Sequence, residues 1–150
     1  MASDLLLQLG LGTLTVAVTV LVHLAGLSVL VGLLRVHQTR FRTRQAIVDQ
    51  VLPLLGAAFG LFALHTLEIW GYAGLYCLVG ATRTFEEALY FSTVTYSTIG
   101  YGDLTLDRAW RILGAIEGAN GVILLGWSTA FFVSVVARLR ALEHNWLGQP

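Results

Sequence analysis

Four polar side chains interrupt stretches of sequence that are otherwise apolar. His65 and Glu68 lie one helical turn apart, and so do Glu117 and Asn120. Residues at this spacing share a helix face, where they can hydrogen-bond. Carboxyl groups in apolar surroundings are expensive, and they usually face protein or water. These residues are therefore candidates for a titratable network that makes activity pH-sensitive. The alternative is a permanently satisfied hydrogen-bond network that fixes the register of the helices.

The other residue types do not suggest covalent chemistry. The sequence shows no activated nucleophile, phosphate-binding loop or metal-ligand motif, so we expect no enzyme. Cys77 is the one cysteine, so it has no second thiol for a disulfide or a shared metal. A membrane-embedded enzyme using His65, Glu68 and Glu117 is an alternative, but these groups lack a partner motif. The formal net charge is zero, which gives no basic field for nucleic acid.

The composition indicates a membrane protein. Of the 150 residues, 56% are hydrophobic and 12% are charged. A soluble domain of this length needs more charge to cover its surface. The start, Met1-Ala2-Ser3-Asp4, has no basic region of the kind found in signal peptides, so we expect no removed leader.

Three stretches are long enough to cross a bilayer, which takes about 20 apolar residues. They cover residues 11–34, 51–79 and 112–137. The first contains His23, which we interpret as a hydrogen-bonded packing residue. The fold class predicted is an all-α membrane protein with three transmembrane helices.

The arginines predict the orientation, because cytoplasmic loops are richer in basic residues. One side carries Arg35, Arg40, Arg42, Arg44, Arg138 and Arg140, and the other carries Arg83, Arg108 and Arg111. The N-terminus is then outside and the C-terminus cytoplasmic. Aromatic residues favour the interfaces, so we expect Tyr72, Tyr76 and Trp110 near the outer one and Trp146 near the inner one.

A short helix is predicted between the second and third spans. Thr82 or Thr84 can cap it, and Glu86 and Glu87 lie in its first turn, where the helix dipole favours anions. The apolar segment 85–96 is too short to cross the membrane, so we expect it to enter and return as a loop. Loop backbone at that depth must be buried in protein or line a wet cavity. This requirement indicates a pore.

The run after this helix is Thr98-Ile99-Gly100-Tyr101-Gly102-Asp103. It closely resembles the pore loop of potassium channels, and the resemblance extends from Thr84 to about Arg140. An ordinary Gly-Tyr-Gly turn is the alternative, which the capped helix and the two flanking spans disfavour. The resemblance implies a homotetramer around a pore, with K+ as the permeant ion.

The resemblance also implies roles for individual residues. Thr98, Ile99, Gly100 and Tyr101 would bind K+ through their backbone carbonyls, within a selectivity filter that runs to Gly102. Gly100 and Gly102 reach the required backbone angles without steric penalty. Tyr101 would point away from the axis and brace the filter, and Asp103 would lie at the outer mouth. The C-terminus of the short helix, near Tyr96, would favour a cation in the cavity.

The third span is predicted to line the pore. One face of it, spaced as on a helix, gives the candidates for cavity and gate, which are Val122, Leu125, Thr129, Val133 and Ala137. A narrow apolar ring can block ions by dewetting. Gly121 and Gly126 are candidate hinges, with Gly121 best placed by resemblance. Close helix packing is the alternative for both glycines.

One position departs from the potassium-channel pattern. Many members carry a carboxylate in the pore helix, four residues before the filter threonine, where this sequence has Val94. The filter therefore lacks that support. Helical counting puts Glu68 and Glu117 near the pore helix, where they could compensate.

These observations predict a potassium-selective channel subunit that conducts K+ passively. The alternatives are a weakly selective cation channel of the same fold and a non-conducting auxiliary subunit. No span carries arginine at every third position, so we expect no voltage sensor. Little chain follows Arg140, so we expect no ligand-binding regulatory domain.

The predicted organisation has two parts. Residues 1–44 form an extra transmembrane helix and a basic linker, and residues 45–150 form the pore domain. Within that domain we expect an outer helix at 45–80, a pore helix at 84–96, a filter at 98–103 and an inner helix at 108–142. The extra helix packs outside the tetramer or between subunits. The linker arginines could bind anionic lipid headgroups, and the alternative is a plain positive-inside anchor. The predicted location is the plasma (inner) membrane of a prokaryote.

Overall fold

The described part of the chain contains four helices. The structure, a computed structural model, describes the backbone of residues 2–40 and 46–147 and the side chains of residues 5–37 and 51–139. Within that part of the chain the helices are α1 (Ala2–Arg40), α2 (Ala46–Leu78), α3 (Phe85–Tyr96) and α4 (Arg111–Leu147), and there is no strand.

Three of these helices are long and apolar enough to cross a membrane. The candidate spans are Leu5–His37, Val51–Leu78 and Arg111–Leu139. The predicted all-helical membrane fold is therefore confirmed. Helix α4 begins at Arg111 rather than at residue 108, because a turn comes first. The N–H groups of Trp110 and Arg111 both donate to the carbonyl of Asp107, at 2.8 and 3.0 Å.

Helix α3 is short because its sequence starts and stops it within three turns. Thr84 is the N-cap, with an extended backbone, and its hydroxyl accepts the N–H of Glu87 at 3.1 Å. The Glu87 carboxylate in turn accepts the N–H of Arg83 at 3.0 Å, so two end donors are satisfied reciprocally. At 12 residues the helix is about 18 Å long, which is too short to cross a bilayer.

The core of the molecule lies where α3 packs against α2 and α4. Tyr76, Ala88 and Leu113 are fully buried there. The rings of Tyr76 and Phe91 meet edge to face, with centroids 5.3 Å apart. The expectation that Tyr72 and Tyr76 lie near the outer interface stays a prediction, and both side chains are fully buried in the single chain. Their hydroxyl groups hydrogen-bond to polar residues of α4, which draws the rings inward.

Helix α1 packs on α2 and α4 of the same chain, at points where one partner is small. Gly12 faces Ile116 and Gly26 faces Leu64, so closely that an added Cβ would collide with either neighbour. Small residues let helices approach closely in lipid. The buried side chain of Gln8 also accepts the N–H of Ile112 at 3.0 Å. That N–H is in the first turn of α4, which has no intrahelical partner for it.

Candidate functional site

The loop that follows α3 has a backbone of alternating handedness. Thr98, Gly100 and Gly102 have positive φ angles of 62°, 54° and 78°, whereas Ile99 and Tyr101 between them do not. Such alternation turns successive peptide groups the same way, so that their carbonyl oxygens can face one side. Glycine adopts these angles freely, but a residue with a Cβ is strained by about 1–2 kcal/mol. The sequence analysis identified the two glycines and missed the strained Thr98.

The inner part of this loop is tied to the end of α3 through backbone hydrogen bonds. The N–H of Thr98 donates to the carbonyl of Thr95 at 3.0 Å, and the N–H of Gly100 donates to the carbonyl of Val94 at 3.0 Å. The side chain of Val94 is buried and apolar. Val94 therefore supports the loop through its carbonyl group, although it lacks the carboxylate that many potassium channels have at this position.

The outer part of the loop is held by a side-chain contact. The hydroxyl of Tyr90 donates to Oδ2 of Asp103 at 2.6 Å, and Oδ1 accepts the N–H of Leu104 at 3.0 Å. The hydrogen bond from Tyr90 lowers the pKa of Asp103, and the same bond raises the pKa of Tyr90. Sequence reasoning missed Tyr90. The one sequence feature that could have indicated its role was its position on α3, one helical turn before Val94.

Tyr101 makes no such contact in the single chain. Its side chain is 69% exposed, and that of Ile99 is 53% exposed. The expectation that Tyr101 braces the loop against a pore helix stays a prediction, since it requires a second subunit.

A buried polar cluster, which we call the histidine cluster, joins all four helices. It consists of His23 from α1, His65 and Glu68 from α2, Tyr96 from α3 and Ser128 from α4. Glu68 lies at its centre, with Nδ1 of His23 2.9 Å from Oε1 and Nδ1 of His65 3.1 Å from Oε2. The Tyr96 hydroxyl donates to Oε2 at 2.5 Å. The last residue of α3 is therefore connected to the first span.

The histidine cluster only partly matches the residues singled out from the sequence. His65 and Glu68 pair as expected. His23 is hydrogen-bonded as predicted. Its partner is Glu68, so His23 belongs to the polar network, which the sequence analysis had not predicted. Ser128 was missed, because only the packing of α4 against α1 and α2 brings its hydroxyl 2.8 Å from Nε2 of His65.

Glu117 lies in a different set of contacts. Its carboxyl oxygens lie 2.5 Å from the hydroxyl of Tyr76 and 2.5 Å from that of Ser92, which belongs to α3. The Ser92 hydroxyl also lies 2.9 Å from the carbonyl of Ile69. One hydroxyl proton cannot serve two acceptors, so both contacts are satisfied when Glu117 carries a proton and donates to Ser92. No imidazole or cation of the described side chains contacts Glu117.

Asn120 does not pair with Glu117, contrary to the expectation from their spacing. Its side-chain NH2 donates to the hydroxyls of Thr19 and Tyr72, at 2.8 and 3.1 Å. Glu117 and Asn120 therefore hydrogen-bond to different residues of the neighbouring helices. All buried side-chain polar atoms among the described residues have a hydrogen-bond partner. Whether the network makes activity pH-sensitive stays a prediction. Profiles of activity against pH for Glu68→Gln and Glu117→Gln that match that of the parent would contradict it.

Helix α4 presents Gly121 to the end of α3. A Cβ on Gly121 would overlap the carbonyl oxygen of Tyr96 and lie 2.9 Å from its carbonyl carbon. Close packing therefore requires glycine here, whereas Gly126 has open space. A hinge at either glycine stays a prediction. The candidate cavity and gate residues are exposed or half-buried in the single chain, namely Val122, Leu125, Thr129, Val133 and Ala137.

The arginines that set the predicted orientation are described in part. Arg35 and Arg138 are exposed at one end of the spans, and Arg83, Arg108 and Arg111 are exposed at the other. The side chains of Arg40, Arg42, Arg44, Arg140 and Trp146 lie outside the described residues. Trp110 is half-buried.

Comparisons with known proteins agree with this architecture. Two-pore potassium channel 4 of Arabidopsis thaliana is 35% identical over 65 residues, which is 43% of this chain and 22% of that protein. The chain thus matches about a fifth of the length of this relative. No solved structure matches the chain. A family model described as "Ion channel" matches residues 62–138, about half of the chain, including α3, the loop after it and most of α4. The chain is therefore a member of the ion channel family, which comprises channels rather than enzymes.

Proposed function

We propose that this chain is one subunit of a potassium-selective channel and that four copies surround the pore. The observation that carries the proposal is the alternating sign of φ in the loop 98–102, because such a backbone allows successive carbonyl oxygens to face one side. Rings of backbone carbonyls can replace the water shell of K+ at little net cost. In this proposal Thr98, Ile99, Gly100 and Tyr101 bind the permeant ion.

The loop requires more than one subunit, and the resemblance to potassium channels implies four. One loop cannot encircle an ion, and irregular backbone at membrane depth is stable only when it is buried in protein or lines a wet cavity. Four loops around one axis satisfy both conditions. The C-terminal end of α3 lies beside Thr98, so the negative ends of four short helices would face the cavity below the filter and attract a cation.

The rest of the pore is assigned by the same reasoning. The exposed face of α4 that carries Val122, Thr129 and Val133 lines the cavity, and its far end forms the gate. The N-terminus lies outside and the C-terminus in the cytoplasm. Residues 1–44 are an added span and linker, whose arginines contact anionic headgroups, at about 1 kcal/mol for each arginine near the surface.

The test is ion flux into liposomes that contain only this protein. We expect K+ uptake that Ba2+ blocks and that excess Na+ does not replace. Equal Na+ uptake would instead indicate a weakly selective cation channel. An absence of flux over a range of pH would indicate an auxiliary or closed subunit.

A matched pair of glycine variants separates the filter from general damage. Gly102 and Gly80 both have positive φ, at 78° and 68°, and both are exposed with no heavy atom within 4 Å of an added Cβ. Alanine at either position costs a similar backbone strain of about 1–2 kcal/mol. Gly80 lies in the turn after α2, outside the filter. We expect Gly102→Ala to lose K+ flux or selectivity and Gly80→Ala to keep both. Equal effects of the two variants would argue against a filter at 98–102.

A further inference from the structure

The histidine cluster places one nitrogen of each of two imidazoles against a single carboxylate, an arrangement that a shared cation would suit. Glu68, when ionised, only accepts hydrogen bonds. Nδ1 of His23 and Nδ1 of His65 face it at 2.9 and 3.1 Å, so each can donate a proton to the carboxylate or share a cation with it.

The opposite ring nitrogens share one partner. Nε2 of His65 and Nε2 of His23 both face the hydroxyl of Ser128, at 2.8 and 3.4 Å. If both imidazoles are neutral and protonated at Nδ1, both Nε2 atoms are acceptors, and Ser128 has one proton for the two. A metal ion bound by both Nδ1 atoms resolves this conflict. Both Nε2 atoms then carry protons and donate to the two lone pairs of Ser128.

We propose that His23, His65 and Glu68 form a binding site for a divalent transition-metal ion of the Zn2+ type, with the Tyr96 hydroxyl as the fourth ligand. Two imidazoles and a carboxylate select this class of ion over K+ or Mg2+. In this arrangement Ser128 is a positioning residue, because metal-bound histidines usually donate their other N–H to a fixed acceptor.

The distances fit such a site. A tetrahedral Zn2+ site with bonds of about 2.0–2.1 Å places neighbouring ligand atoms about 3.3 Å apart. One ligand atom from each of His23, His65 and Glu68 lies within 4.8 Å of the other two. The Tyr96 hydroxyl is 2.9 Å from Nδ1 of His65. The carboxylate contacts already have about the separation required, and the widest pair of ligand atoms would have to close by up to about 1.5 Å to admit the ion.

Access and consequence also follow from the structure. The side chains of His23 and Glu68 are fully buried, whereas that of His65 is 12% exposed, so an ion would reach the cluster from the His65 side. A bound ion would hold α1 and α2 against the last residue of α3. The site thus gives the first span a direct connection to the start of the loop 98–102. It does not depend on which ion the channel conducts.

The experiment measures metal binding to the purified full chain in detergent. The protein is stripped with a chelator, dialysed against Zn2+ and analysed for metal content, and X-ray absorption at the zinc edge reports the ligands. We expect one Zn2+ per chain, two histidine nitrogens in its shell, and a thermal midpoint that rises with Zn2+ concentration. A protein that keeps no Zn2+ after dialysis would overturn the proposal.

Substitutions locate the ion. His23→Gln and Glu68→Gln should abolish the stoichiometric Zn2+, and Ser128→Ala should weaken its binding by about 10–100-fold. The matched controls are His37→Gln, a histidine of α1 outside the cluster, and Glu117→Gln, the same chemical change in the other set of contacts. Both controls should keep one Zn2+ per chain. Zinc that survives in His23→Gln, or an absorption spectrum of the parent without histidine nitrogens, would refute the site even if a variant folded poorly.

Discussion

The substitution Gly121→Ala tests how tightly α4 packs against the end of α3. An alanine Cβ would overlap the carbonyl oxygen of Tyr96 and lie 3.0 Å from its Cα. Because these neighbours are backbone atoms, no side chain can rotate away, and one helix must shift. Overpacking of this kind costs about 1–3 kcal/mol. Alanine is also a better helix former than glycine by about 1 kcal/mol, which offsets part of the loss.

A control on the same helix removes the helix-propensity contribution. Gly126 has no heavy atom within 4 Å of an added Cβ, so Gly126→Ala changes helix propensity without a collision. The difference between the two variants is then the packing cost alone, about 1–3 kcal/mol, or about 5–150-fold in the unfolding equilibrium. Denaturant unfolding in detergent, with both variants beside the parent, measures this difference.

The flux assay gives a second measurement on the same variants. A shift of Tyr96 would disturb the loop that starts two residues later, so we expect Gly121→Ala to lose K+ flux together with stability. Equal stability of Gly121→Ala and Gly126→Ala would refute the packing argument. If both variants were as stable as the parent but conducted less, the hinge alternative would be favoured instead.

Three further predictions use the other contacts. Glu117→Gln should cost little free energy of unfolding, because a neutral group satisfies its neighbours. Glu68→Gln should cost about 3–5 kcal/mol, because its imidazole partners lose a charged hydrogen-bond acceptor. Equal costs of the two variants in thermal or denaturant unfolding would contradict this prediction. Thr84→Ala should cost about 0.5–2 kcal/mol in the same assay through loss of the α3 cap, and Thr82→Ala should be neutral by comparison. Tyr90→Phe should destabilise the chain near neutral pH, where Asp103 is ionised. The Tyr90 hydrogen bond lowers the pKa of Asp103 from the ordinary value of 3.8. Its contribution to the free energy of unfolding is therefore present above that pH and is lost as the pH falls through the lowered pKa. A stability difference between Tyr90→Phe and the parent that persists unchanged at lower pH would be inconsistent with this contact.

The sequence by itself determined the class of fold and the place of the loop. Long apolar stretches can only cross the membrane as helices, so three spans followed from composition and length. The cap at Thr84, the length of α3 and the Gly-Tyr-Gly run are local features, and local chemistry predicted them. Helical counting also placed Glu68 and Glu117 near α3, where both form hydrogen bonds.

Tertiary structure alone decided which polar groups meet. Spacing along one helix predicted a Glu117–Asn120 pair, but each residue bonds to other helices, because four packed helices offer nearer partners. Ser128 and His23 lie 105 positions apart in sequence and meet only when α1 packs against α4. The positive φ of Thr98 likewise depends on the backbone hydrogen bonds between the loop and α3, because this conformation is strained for a residue with a Cβ. Contacts between distant segments carry no signal in a single sequence, and the metal site proposed above consists of such contacts.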